Sequence, residues 1–174
     1  MVRRSTKEKR VSLINELLKD SSRSDRELAK IIGISQPTVS RDKKDFEEIG
    51  LIRGYTVVPD FFKLGFELMA ITFVKTKTAL SSIKERKKAT ELAKDWMMKH
   101  PNVILASYCR GMDADAVMIS FHKSYLKYDE FMEEHNRDLG PTIETVRSSL
   151  INLQGKQSIK PFHFKYLANS YQTN

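Results

Sequence analysis

The chain has little of what marks a disulfide scaffold, a metalloenzyme, a hydrolase or a membrane protein. Among 174 residues there is one cysteine, Cys109. It cannot close an intramolecular disulfide and has no neighbouring cysteine for a metal knuckle, so it reads as a packed structural thiol. The four histidines, His100, His122, His135 and His163, are scattered without HExxH or comparable ligand spacing. Each reads as a helix-end, packing or surface residue. No glycine-rich phosphate loop and no GxSxG nucleophile elbow occurs. The uncharged apolar run Leu68 to Val74 is far short of the ~20 residues that span a bilayer. The opening residues, MVRRSTKEKR, lack the apolar core of a signal peptide. The expectation is an intracellular, cytoplasmic protein with no membrane partner, no metal, no cofactor and no catalytic set.

What is present begins with charge. Thirty Lys and Arg stand against 22 Asp and Glu, a net charge of +8, and the isoelectric point is near 9.5. That excess favours a polyanionic partner. A hydrophobic fraction of 40% beside 30% charged residues is that of a globular chain. Its length suits one medium domain or two small ones.

Residues 24 to 49, SDRELAKIIGISQPTVSRDKKDFEEI, carry the strongest pattern. Ser24 stands three residues before Glu27, the spacing of a capping box. Leu28, Ala29, Ile31 and Ile32 then form an apolar face, and Gly33 suits a helix C-terminus. Ser35 can cap a second helix with Pro37 in its first turn. Val39, Phe46 and Ile49 point that helix inward. Its other side carries Gln36, Thr38, Ser40, Arg41 and Lys44. Two short helices meeting at a glycine, the second polar and basic near its start, predict a helix-turn-helix whose second helix enters the major groove of double-stranded DNA. There Arg41 and Lys44 suit guanine edges or phosphates and Gln36 an adenine edge. Thr38, Ser40 and the free N–H groups at the helix start suit phosphates. The full DNA-facing set expected is Ser35, Gln36, Pro37, Thr38, Ser40, Arg41 and Lys44, with Arg53 beyond. The following segment, Gly50 to Val58, has the β-branched content of a wing strand.

On either side of this motif the pattern continues. Before it, Val11, Leu13, Ile14, Leu17 and Leu18 predict a first helix. The basic run at residues 3 to 10 is expected to fray ahead of that helix, either touching phosphates or standing solvated. Residues 59 to 65 read as a linker with one helical turn. Beyond it the period changes to strand (66–74), helix (82–99), strand (103–109), strand (116–122), helix (125–139) and strand (142–153). The buried helix positions are expected to be Leu92, Ala93, Trp96 and Met97, then Leu126, Tyr128, Phe131, Met132 and His135. This order is the βαββαβ of a ferredoxin-like domain over residues 66–155. With both helices on one face, the other must stay polar or meet a partner, most simply a second copy. The tail, 156–174, could add an edge strand or swap onto a neighbour. The fold class expected is α+β, a winged helix-turn-helix over 1–58 followed by the ferredoxin-like domain.

From Leu28 through GISQPTVSR, then GLI and GYTVVPD, the chain resembles the leucine-responsive/asparagine regulator (Lrp/AsnC) family of transcription factors. The resemblance implies a sequence-specific DNA-binding regulator associated with the nucleoid, a homodimer or higher even-numbered oligomer, and a small effector of amino-acid type. It also implies an effector site at the turn Arg110-Gly111-Met112-Asp113-Ala114-Asp115, where Gly111 admits the ligand and Asp113 or Asp115 receives its ammonium. One residue more than the family's common spacing leaves those two aspartates in competition, and the same residues suit an acidic hairpin turn. Two features depart from the family pattern. Lys43 replaces an apolar inner residue, and Asp42 and Asp45 put negative charge on the DNA-reading helix. The alternative implied by likeness to the same family is a haem-precursor (tetrapyrrole) decarboxylase, in which the DNA-reading helix has decayed. Here that helix keeps its cap, glycine and basic residues.

Overall fold

The computed structural model describes residues 5–77, 82–155 and 159–170. The chain divides into two compact units. One combines the segment up to Val58 with the segment from Lys160 onward, and the other is Pro59–Ile159.

The first unit is built on three helices: α1 (Thr6–Lys19), α2 (Asp25–Ile32) and α3 (Gln36–Glu48). Each begins at a serine whose hydroxyl accepts the N–H three residues on. For α1 and α2 the box is reciprocal, with Glu8 and Glu27 accepting from the backbone N–H of Ser5 and Ser24. The box at Ser5 and Glu8 explains why the basic run does not fray there: Lys7, Lys9 and Arg10 already lie on α1. Gly33 ends α2 at φ +77°, a left-handed conformation that glycine adopts without a Cβ penalty. Leu13, Leu17, Leu28, Ile32, Val39 and Phe46 close one core between the helices. The expected wing differs. Residues 52–58 form no strand, and among the described residues of this unit no strand exists for them to pair with.

The second unit opens with a turn at 61–65 whose Phe61 stacks on Phe121, ring centroids 4.3 Å apart, so these residues are docked. Then follow β1 (Leu68–Thr76), α4 (Ile83–Lys99), β2 (Val103–Gly111), β3 (Ala114–His122), α5 (Tyr125–Leu139) and β4 (Ile143–Asn152). The strands form one antiparallel sheet in the order β2-β3-β1-β4, the ferredoxin-like arrangement. Cross-strand partners share a face. Ala70, Thr72 and Val74 therefore align with Ser120, Met118 and Ala116 on the face that α4 and α5 cover. There Met118 packs with Trp96, Phe131 and Leu139. Met69, Ile71 and Phe73 align with Phe121, Ile119 and Val117 on the opposite face. Phe61 and Phe66 cover only Phe121 at one end of it. The rest stays half-exposed, with Leu105 and Ile151 of the outer strands more open still. Four positions expected inward face solvent: Leu92 and Leu126 here, because Trp96 and Phe131 fill the space over the sheet, and Ile31 and Ile49 in the helical unit, where Ile32, Val39 and Phe46 fill the core.

Candidate nucleic-acid interface and effector loop

Helix α3 has two chemically distinct sides. Gln36, Pro37, Ser40, Arg41 and Lys44 are exposed, and their spacing of three and four places them on one face. Gln36 and Ser40 make no side-chain hydrogen bond among the described residues. Lys44 lies 3.7 Å from Glu48, an exposed pair one turn apart. Ser35 and Thr38 are committed to the cap: the Ser35 hydroxyl takes the Thr38 N–H at 3.3 Å and sits 2.7 Å from the Thr38 hydroxyl. Arg53 is exposed on the segment beyond α3.

Asp42 and Asp45 turn the other way, while Glu47 and Glu48 at the end of α3 stay exposed. Asp42 is buried, and the Arg10 guanidinium donates to it at 3.2 Å and to Asp45 at 2.9 Å. The same guanidinium lies 4.7 Å from the centre of the Phe46 ring. Arg10 of α1 thus neutralises Asp42 and Asp45, and the exposed Arg41 lies 4.0 Å from the same Asp42 oxygen. Lys43 solves its inward position similarly, donating to Asp25 at 2.9 Å and standing 5.4 Å from the Tyr55 ring. Burial, with Glu47 nearby, pushes the Tyr55 hydroxyl up to about 12. Sequence reasoning places Arg10 in the basic run expected to touch phosphates or stand solvated; its tie to α3 is not legible there, since nothing local links it to residues more than thirty positions away.

At the β2–β3 connection, Gly111 pairs with Ala114 across the two residues Met112 and Asp113. Both have positive φ, 53° and 55°, the signature of a two-residue hairpin turn that glycine or asparagine normally supplies. Two consecutive left-handed non-glycine residues cost on the order of 1 kcal/mol each. Asp113 accepts from Lys75 at 2.7 Å, and that bond holds the Lys75 ammonium above its usual range. Asp115 lies inside β3. One of its oxygens accepts both the N–H and the hydroxyl of Thr76, at 2.9 and 2.8 Å, and these donors hold its carboxyl below the usual range. The structure thus brings Gly111, Asp113 and Asp115 into one hairpin and gives each carboxylate a partner from β1.

Each histidine has a packing or capping place. His100 caps the end of α4, with Nδ1 2.7 Å from the Trp96 carbonyl. His122 and His135 are buried, and His163 Nδ1 accepts the Lys165 N–H at 2.9 Å. Cys109 is half-buried in β2. Among the described residues no group of three potential ligands could hold a metal ion, and no helix is long and apolar enough to cross a membrane.

The family profile for winged helix-turn-helix DNA-binding matches residues 7–53. The HTH-type transcriptional regulator LrpA of Pyrococcus abyssi is 37% identical over 84 residues, 48% of this chain and 60% of that protein. An uncharacterized HTH-type transcriptional regulator of Pyrococcus furiosus is 30% identical over 121 residues, 67% of this chain and 79% of the relative. The chain belongs to the Lrp/AsnC family. Its match to LrpA spans less than two thirds of that relative's length. The Lrp/AsnC fold extends through both units. The Neisseria meningitidis transcriptional regulator solved as a complex with L-Met superposes with a TM-score of 0.75 at 18% identity, over 90% of this chain and 94% of that one. At that identity the likeness is one of fold.

Proposed function

We propose that this chain is a sequence-specific regulator that reads double-stranded DNA through the outer face of α3. The separation of charge on α3 carries the reading. Gln36, Ser40, Arg41 and Lys44 stand outward, while Asp42 and Asp45 are turned inward onto Arg10. A protruding guanidinium can address a guanine edge with two parallel hydrogen bonds, and Gln36 can address an adenine. Ser40, Lys44 and Arg53 suit phosphates, which set position and salt dependence. Ser35, Pro37 and Thr38 shape the helix start that presents them. The relatives' names favour regulation over tetrapyrrole decarboxylation. So do His122 and His135, whose burial in the core keeps them from substrate carboxylates.

The half-exposed apolar face of the sheet suits a second copy of the chain, giving a homodimer or higher even-numbered oligomer. Pairing two recognition helices about one DNA turn apart multiplies a modest single-site affinity. An amino-acid-like effector suits the β2–β3 hairpin. Asp115 spends one oxygen on Thr76 and keeps the other for an ammonium group, and the bound L-Met of the Neisseria meningitidis protein supports that ligand class.

The DNA reading is tested by fluorescence anisotropy on DNA from upstream of the protein's own gene. Arg41→Ala is expected to weaken specific binding by roughly 1–3 kcal/mol. Lys44→Ala should weaken all sequences alike and make the salt dependence shallower. Unchanged affinity in both variants removes α3 from the groove.

A further inference from the structure

Helix α1 is buried on more sides than a three-helix unit requires. A helix packed against neighbours on one side leaves every third or fourth residue in water. From Lys9 to Lys19 every residue of α1 is buried or half-buried. Its apolar face meets the α2 and α3 core, Arg10 meets Asp42 and Asp45 of α3, and Glu16 pairs with Arg23. Further cover comes from the far end of the sequence. Phe164–Leu167 form a short 3-10 turn seated on α1. His163 caps that turn through its Nδ1. His163 and Phe164 join Ile14, Leu17, Leu18 and Ile52 in walling an apolar groove of about 540 Å³. Two residues beyond the turn, the Asn169 N–H donates to the buried Asn15 Oδ1 at 2.8 Å. Asn169 takes φ +69°, a left-handed conformation asparagine tolerates better than most residues.

The segment also carries its own supports. The Lys160 ammonium lies 4.1 Å from the centre of the Tyr166 ring, and Phe162 meets Phe164 edge to face at 5.3 Å. Asn15 is the decisive residue. A polar side chain is costly to bury without a partner, and buried Asn15, set among Ser12, Glu16 and Lys19, takes its partner from the backbone N–H of position 169.

We propose that residues 160–170 are the fourth structural element of the DNA-binding unit, a clasp on α1 that follows the effector unit in the chain. Helix α1 holds the inward carboxylates of α3 through Arg10 on one side and receives the clasp on another. The clasp thus steadies the recognition helix without reaching DNA. Its consequence for DNA rests on the function proposed above; the clasp itself does not.

Amide hydrogen exchange reads the clasp directly and needs no DNA. The full chain is compared with a chain ended after Ile159 and with Phe164→Ala. Exchange across residues 9–19 is expected to accelerate by about tenfold or more in the shortened chain and by less in Phe164→Ala, while β1 and β3 keep their protection. Adding a synthetic peptide of residues 160–174 should slow α1 exchange in the shortened chain again. Unchanged α1 exchange in the shortened chain overturns the proposal. So does an equal loss of protection in α1 and in the sheet, because the segment would then support the whole molecule.

Discussion

The two units use polar groups in opposite ways. In the helical unit, charged side chains are tertiary ties: Arg10 to Asp42 and Asp45, Lys43 to Asp25, and Arg23 to Glu16, each joining separate stretches of chain. In the sheet unit the interior is aromatic and imidazole, with Trp96 stacked on His100 at 3.8 Å and edge-on to His135 at 5.2 Å. Its carboxylates lie mostly at the rim, although Asp138 accepts the core Trp96 indole N–H at 3.2 Å. The helical unit is too small to bury much apolar area, so ion pairs with partly buried partners fix which way α3 faces. The sheet unit has apolar surface to spare and leaves part of it uncovered. Specificity of orientation is thus built with charge in one unit, and capacity for association with apolar area in the other.

The largest expected effect breaks the open face. Ile119→Glu places a charge among Ile71, Leu105 and their neighbours, and a two-fold interface would bury it twice. The cost to association is on the order of 4 kcal/mol or more, and light scattering should give the monomer mass. An unchanged oligomer mass would show that copies associate elsewhere.

Next is the tie between α1 and α3. Arg10→Met keeps the stem over Phe46 but leaves buried Asp42 with only the exposed Arg41, 4.0 Å away, as a cation. It should cost the helical unit about 1–3 kcal/mol and weaken DNA binding. The only tryptophan, Trp96, lies in the other unit. A urea titration by far-UV dichroism should therefore shift while the Trp96 fluorescence transition stays in place. A common shift of both signals would mean that the two units unfold as one.

A third prediction separates the units by pH. Burial holds the imidazoles of His122 and His135 below their ordinary range. Neither nitrogen of His135 has a hydrogen-bond partner among the described residues. Unfolded, both take a proton near the usual value of about 6.5. The folded sheet unit binds fewer protons, so its stability is full above that pH and is lost progressively as pH falls below it. The Trp96 transition should weaken on acidification, and His135→Leu should flatten the dependence. An equally steep decline in that variant would place the sensitivity in other groups.

The smallest effect distinguishes the rim carboxylates. Asp115→Asn keeps the acceptor for Thr76 and loses the charge, so stability should change by no more than about 0.5 kcal/mol. Calorimetric titration with amino acids, L-methionine included, should lose most of its signal in Asp115→Asn and less in Asp113→Asn, whose carboxylate Lys75 already occupies. Equal, undiminished binding by both would leave the hairpin as a turn only.

Much of this protein is decided within a few residues along the chain. Ser24 with Glu27, Gly33, and Ser35 with Pro37 set the helix-turn-helix because capping and left-handed turns are local chemistry. The alternation of β1, apolar at odd and even positions alike, already implied cover on both sides of its sheet. The exposed face of α3 was legible for the same reason, since helical periodicity assigns its outward residues. The tertiary structure alone decided where Asp42 and Asp45 point, because Arg10 meets them from another helix. It alone brought residues 160–170 onto α1, where composition left an edge strand or a swapped segment equally open. It also set Met112 and Asp113 at positive φ, which their residue types disfavour and which the register of β2 against β3 imposes. Local rules specify most elements and much of their facing, but not the wing or the sides of Leu92, Leu126 and Ile49. Only packing over long sequence distances can say which charge meets which, and which face remains for a partner.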